Sequence, residues 1–241
     1  KKIKKSFFII LVVLIVLSGG SAIYLGNYYH SVDVEKYMNG SSEVSVEKFD
    51  KGWFFDGAGE EKALIFYPGA KVATEAYAPL MYQLTESGID CFLVDMPFHM
   101  AFFGMNRAEE IMQEYNYEAW YLGGHSLGGA MAANFAADYV EDHTDGIRGL
   151  LLLAAYPTKD LSTSDMSVVT VYGSEDGVLN MDKIVAGREL MPQDYKEVCI
   201  EGGNHAQFGS YGTQKGDGTA AIPAEEQWAR TVEVFVGDES E

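Results

Sequence analysis

The sequence predicts an α/β fold: a mostly parallel, doubly wound sheet with helices on both faces. Three observations carry this expectation. From residue 63 to residue 235, short apolar runs alternate with stretches at helical spacing. The runs are apolar throughout rather than at every second residue, as in strands buried on both faces. A chain of 241 residues that is 47% hydrophobic is long enough for one domain with a large core.

Taken in order, residues 44–49 and 53–55 read as a first hairpin turned at Asp50-Lys51-Gly52. Residues 63–67 form a strand stopped by Pro68-Gly69, and 74–87 a helix ended by Gly88. Residues 91–94 are a strand, 106–115 a helix, and 119–122 a strand. A small-residue helix over 127–139 follows, then strands over 149–154 and 168–172. A helix over 180–190, a strand over 197–200 and a final helix over 224–235 complete the pattern. Only about a dozen residues join the strands ending near Ala155 and starting near Val168, so no large lid is expected there.

The N-terminus differs from the rest. Lys1, Lys2, Lys4 and Lys5 precede an apolar stretch from Phe7 to Leu25. Nineteen helical residues would span about 28 Å, enough to cross a hydrocarbon core. The basic cluster would then stay on the cytoplasmic side and the body outside. A cleaved signal peptide is the competing reading, and it too exports the body. The expected organisation is an anchor or signal segment over 1–25, a polar stalk over 26–42 and a catalytic domain over 43–241. The formal charge is −19, and four of the 17 basic residues sit in that N-terminal cluster. So acidic a body repels phosphate backbones, which excludes nucleic acid as a partner. Cys91 and Cys199 lie in apolar runs and read as buried, inert thiols rather than a disulfide framework.

Chemistry concentrates at Gly124-His125-Ser126-Leu127-Gly128-Gly129, a G-x-S-x-G pattern between a strand and a small-residue helix. A sharp turn there lifts a serine hydroxyl above the sheet. Serine needs a base, and the base an orienting acid. With the nucleophile at such a turn the chain order runs Ser, acid, His. Of the five histidines, His143 and His205 follow Ser126. His143 sits in an acidic surface-like turn. His205 directly follows a strand, at the carboxyl edge where catalytic groups gather, and is the expected base. Asp176 is the expected acid, in Gly173-Ser174-Glu175-Asp176-Gly177, with Glu175 as the alternative. The oxyanion would be met by the Leu127 amide and by the Ala70 amide, with Lys71 second to Ala70. His125 reads as a packing residue. His99, Lys71 and Phe98 are candidates for contacting substrate. With Phe98, the aromatics Phe102, Phe103, Phe208 and Tyr211 read mainly as core or rim, one or two of them as candidates for an apolar acyl pocket. No histidine pair, cysteine cluster or phosphate-binding glycine loop is present, so no metal or other cofactor is expected.

These residues carry a resemblance. Phe66-Tyr67-Pro68-Gly69-Ala70-Lys71-Val72, Met96-Pro97-Phe98, the serine turn, Gly173–Gly177 and Gly203-Asn204-His205-Ala206-Gln207-Phe208-Gly209 resemble the α/β-hydrolase superfamily. More closely, they are similar to a bacterial group of small, lidless, often exported members. The resemblance covers roughly residues 44–237 and implies Ser126 as nucleophile, Asp176 as acid and His205 as base. The lidless build is also similar to dienelactone hydrolases. Those use cysteine where this chain has Ser126, so their substrate does not carry over. The expectation is a serine hydrolase cleaving a small-molecule carboxylic ester, or an amide, through an acyl-enzyme. An acyltransferase with the same triad, or a non-catalytic binding protein on the same fold, are the alternatives.

Overall fold

The computed structural model describes residues 26–59, 61–143 and 146–238. Its strands are β1 (Ser45–Phe49), β2 (Gly52–Asp56), β3 (Lys62–Tyr67), β4 (Asp90–Val94), β5 (Ala119–His125), β6 (Ile147–Leu153), β7 (Ser167–Gly173) and β8 (Tyr195–Ile200). They form one sheet in the order β1-β2-β4-β3-β5-β6-β7-β8. The β1–β2 and β2–β4 pairs are antiparallel, and every pairing from β4 through β3 to β8 is parallel.

The helices are α1 (Glu35–Met38), α2 (Ala78–Glu86), α3 (Arg107–Glu114), α4 (Leu127–Asp142), α5 (Met181–Gly187) and α6 (Ala224–Asp238). Alternate residues of β3 serve opposite faces of the sheet. Leu64 and Phe66 join a core with Leu80 and Leu84 of α2 and Trp228 and Phe235 of α6. Ala63, Ile65 and Tyr67 join another with Ala108 and Ile111 of α3 and Ala133 and Ala136 of α4. Central strands buried on both sides explain the unbroken apolar runs. Residues 154–166, between β6 and β7, contain no helix.

Two expectations change. Cys199 is exposed, because β8 is the outer strand of the sheet, while Cys91 on β4 is buried. The segment 26–42 packs on the body instead of standing off as a stalk. Tyr29 bridges to Val72 in parallel register, and Val34 is buried. The expected anchor or signal segment, 1–25, lies outside the described residues, and no helix among those described is long and apolar enough to cross a membrane.

Because residues 28–34 contribute buried surface and backbone pairing, a chain begun at residue 43 should melt below one begun at residue 26. The expected deficit is on the order of 5–10 °C by circular dichroism. Equal melting temperatures would show that the segment adds nothing to stability.

Candidate active site

Ser126 sits between β5 and α4 with φ 54 and ψ −122, a conformation that costs energy for any residue bearing a Cβ. It occupies the N-cap of α4. A serine there commonly turns its oxygen back onto the helix amides, yet this one makes no capping bond. The turn directs the hydroxyl elsewhere. Its amide donates to the Leu153 carbonyl at the end of β6 (2.8 Å), which pins the turn to the sheet edge.

Gly128 makes this turn possible. A Cβ at that position would lie 2.1 Å from the Tyr67 carbonyl oxygen and 2.4 Å from that of Pro68. The first turn of α4 therefore rests directly on the end of β3, whose Tyr67 is level with Gly124 of β5. Leu127, at the first position of α4, carries an amide with no acceptor inside the helix, and the helix dipole adds positive potential there. In the facing loop the Gly69 amide donates to Tyr77 Oη (3.0 Å), that of Lys71 to the His99 carbonyl (2.8 Å) and that of Val72 to the Gly69 carbonyl (3.3 Å). The Ala70 amide has no such commitment among the described residues. The sheet register thus sets two uncommitted donors, Ala70 and Leu127, on adjacent strand ends, and Lys71 is ruled out as the second donor.

His205 follows β8 and is almost completely buried. Its Nδ1 lies 2.8 Å from Asp176 Oδ2, in the loop after β7. The other Asp176 oxygen accepts from the amides of Val178 (2.8 Å) and Leu179 (2.7 Å), so the carboxylate cannot swing. Glu175 is exposed and accepts from Ser174 Oγ, so of the two candidate acids it is Asp176 that bonds to His205. The carboxylate makes Nδ1 the donor and leaves Nε2 with its lone pair. The His205 ring packs 4.4 Å, centroid to centroid, from the ring of His125, the residue preceding Ser126.

His125 is buried. Gly69 donates to the Tyr77 hydroxyl, and that hydroxyl shares a hydrogen bond with His125 Nδ1 (2.7 Å). Tyr77 thereby ties the Ala70 loop to the serine turn. Burial, followed by the nearby His205, holds the His125 imidazole well below its ordinary pKa and keeps it neutral.

The residues expected to touch substrate form a lip beside Ala70. Lys71, Phe98 and His99 all adopt positive φ, between 55 and 58. Phe98 is exposed. The His99 ring is covered by Tyr28, and partial burial lowers its pKa.

One residue that sequence reasoning missed is Asp217. Its Oδ1 accepts from the amides of Gly177 (3.1 Å), His205 (3.2 Å) and Gly218 (2.8 Å), and its Oδ2 from that of Ala206 (2.8 Å). One carboxylate thus staples the Asp176 loop to the His205 loop. Gly218 permits the approach, since a Cβ there would fall 2.0 Å from the Glu175 carbonyl oxygen. The signal available in the sequence was an Asp between two glycines, shortly after His205. Gln227 of α6 adds a second brace: its amide group accepts from the Asn204 backbone N–H (3.0 Å) and donates to the Asn204 carbonyl (2.8 Å).

Two outcomes follow from this geometry. In Asp217→Ala, exchange at the Gly177, His205 and Ala206 amides should accelerate roughly tenfold or more, read by hydrogen exchange. Unchanged protection would show that the staple carries no load. The second concerns pH. The unfolded chain binds a proton at His125 near pH 6.5 that the folded chain refuses, so this stability is present above that pH and falls below it. The slope is at most about 1.4 kcal/mol per pH unit. His125→Asn should therefore lose less stability than the parent between about pH 7 and pH 5 in urea unfolding.

The model of the alpha/beta hydrolase family matches residues 63–229, from β3 into α6. Solved structures share the architecture at low identity. Carboxyl esterase 2 from the mycorrhizal fungus Tuber melanosporum is 12% identical with a TM-score of 0.61, over 87% of this chain and 89% of its own. The Paleococcus ferrophilus monoacylglycerol lipase is 14% identical with a TM-score of 0.58, over 81% and 99%. The esterase domain of a Rhodothermus marinus protein is 14% identical with a TM-score of 0.56, over 81% and 97%. No curated protein matches the chain by sequence. With the family model covering more than half of its length, the chain belongs to the alpha/beta hydrolase family.

Proposed function

We propose that the chain is a serine hydrolase cleaving a carboxylic ester through an acyl-enzyme. The observation that carries this reading is the Asp176–His205 pair, bonded at 2.8 Å, with its imidazole against the residue preceding a strained Ser126. Solved structures of the same fold that are named carboxyl esterase and monoacylglycerol lipase support the ester class.

In this reading Ser126 Oγ attacks the ester carbonyl carbon and its proton passes to His205 Nε2. Asp176 accepts from Nδ1–H and stabilises the imidazolium as it forms. The carbonyl oxygen becomes an oxyanion held by the Leu127 and Ala70 amides. When the intermediate collapses, the bond to the leaving oxygen breaks and the imidazolium returns its proton to that oxygen. Water then enters, gives a proton to Nε2 and attacks the acyl carbonyl. The acid departs and Ser126 recovers its hydrogen. Every group needed comes from the chain itself. Ser126 Oγ makes no hydrogen bond among the described residues, so the Oγ–Nε2 contact closes as substrate binds.

The same proposal places the protein at a membrane, with Phe7–Leu25 as an uncleaved anchor and the catalytic body outside the cytoplasm. What supports this is the basic cluster at residues 1–5 followed by an apolar run of spanning length.

The test is steady-state hydrolysis of a panel of esters graded in acyl length. Ser126→Ala and His205→Ala should each lower kcat by roughly 10⁴–10⁶-fold, and Asp176→Asn by roughly 10⁴-fold, with KM little changed. Full turnover in Ser126→Ala would overturn the mechanism.

A further inference from the structure

Among the described residues, the chain packs on the body from Tyr28 onward, just after the apolar N-terminal run of the sequence. Tyr28 stacks on His99 at 3.8 Å, with ring planes 27° apart. Tyr29 donates its amide to the Lys71 carbonyl (2.7 Å) and accepts from the Ala73 amide (2.8 Å). The Val32 amide donates to the Ser210 carbonyl (2.8 Å), Ser210 Oγ donates to the Val32 carbonyl (2.6 Å), and the Lys215 amide donates to Tyr29 Oη (3.2 Å). Residues 28–32 are thus a strap from the Ala70 loop to the loop following His205, the two sides of the candidate site.

The strap limits where an anchor can leave the body. Residue 26 stands two positions before Tyr28, so an anchor ending at Leu25 would join the body there. That point is beside the lip of the site. Phe98, Phe102 and Phe103 stand on the same lip, and each is about half exposed: 56%, 48% and 55%. They pack on one another, with Phe98–Phe103 centroids 5.6 Å apart and Phe102–Phe103 centroids 4.2 Å apart. Phe98 and His99 hold consecutive positive φ angles, a strained arrangement that turns Phe98 outward.

The other exposed large hydrophobic side chains among the described residues follow the same geography. Val32 is on the strap, and Val178, Met181 and Val185 lie in the Asp176 loop and on α5 beyond it. All belong to segments leaving the carboxyl ends of the strands or strapped across them. Exposed apolar groups gathered on one rim mark a surface that meets something apolar. An apolar run of spanning length joined to that rim within three residues names the partner.

We propose that this rim rests on the bilayer that holds the N-terminal segment, and that the site takes an acyl ester resident in the lipid interface. The inference depends on the anchor reading for its geometry and on the hydrolase reading for its substrate. Aromatic side chains favour the interfacial zone. The acidic body favours a neutral or zwitterionic surface over an anionic one.

The test uses the full chain in phosphatidylcholine vesicles, with a nitroxide on Phe103→Cys in a Cys199→Ser background. The same label on Glu118→Cys, at the opposite end of the sheet, is the control. The chain should float with the vesicles. The label at 103 should be more accessible to dissolved oxygen than to a water-soluble nickel chelate, and the label at 118 the reverse. A chain that does not float overturns the anchor reading, and the rim contact with it. A chain that floats with both labels aqueous overturns the rim contact alone. For the substrate class, Phe102→Ser/Phe103→Ser should slow hydrolysis of a long-chain ester embedded in the vesicles at least tenfold more than that of a short water-soluble ester. An equal change on both esters would overturn the interfacial assignment. Absence of turnover on either ester in the parent chain would overturn the hydrolase reading, while the labels still decide the contact.

Discussion

The candidate site depends on one backbone constraint, the left-handed turn at Ser126 pressed between β5 and α4. The turn is unfavourable in isolation. It is held because α4 approaches the end of β3 more closely than any side chain would permit, with Gly128 against the carbonyls of Tyr67 and Pro68. That contact fixes Ser126, the proposed nucleophile, above the sheet edge. It also sets the uncommitted amide at the start of α4 on the strand end next to the one bearing Ala70. Position and electrostatics therefore share one cause. An alanine at Gly128 would disturb the serine, the oxyanion donors and the helix seat together.

The proposed base and acid, His205 and Asp176, are held by different means. Asp176 and His205 come from loops after β7 and β8, which pair along their length, so the sheet brings the loops side by side. The carboxylate of Asp217 then fixes both backbones at once, and Gln227 holds the residue before His205. On the other side, Tyr77 links the Ala70 loop to His125, whose burial keeps the imidazole neutral beneath the site. A neutral neighbour matters because a charged ring there would oppose the positive charge that His205 gains on taking a proton.

Much of this was legible in the sequence, for identifiable reasons. Central strands buried on both faces are apolar throughout, so their positions follow from composition alone. Ser126, Asp176 and His205 each sit just past a strand, where glycine-bearing turns mark them. What escaped notice depends on distant contacts. Asp217 and Tyr77 act through groups of other segments: the glycines beside Asp217 mark a tight turn, but not which distant amides its carboxylate would brace, and nothing local marks Tyr77. The segment 26–42 is polar enough to read as a stalk, yet its hydrogen bonds reach residues more than forty positions away. Cys199 lies in a strand whose sequence looks buried. Its exposure follows from β8 being outermost, a property of sheet order rather than of any local pattern.

The central claim is that the fold activates one serine. The most direct measurement is reaction of the folded protein with a fluorophosphonate, followed by mass spectrometry of the adduct. A single adduct on Ser126, abolished in His205→Ala, is the expected result. An adduct elsewhere, or none on protein shown to be folded, would contradict an activated serine at this site.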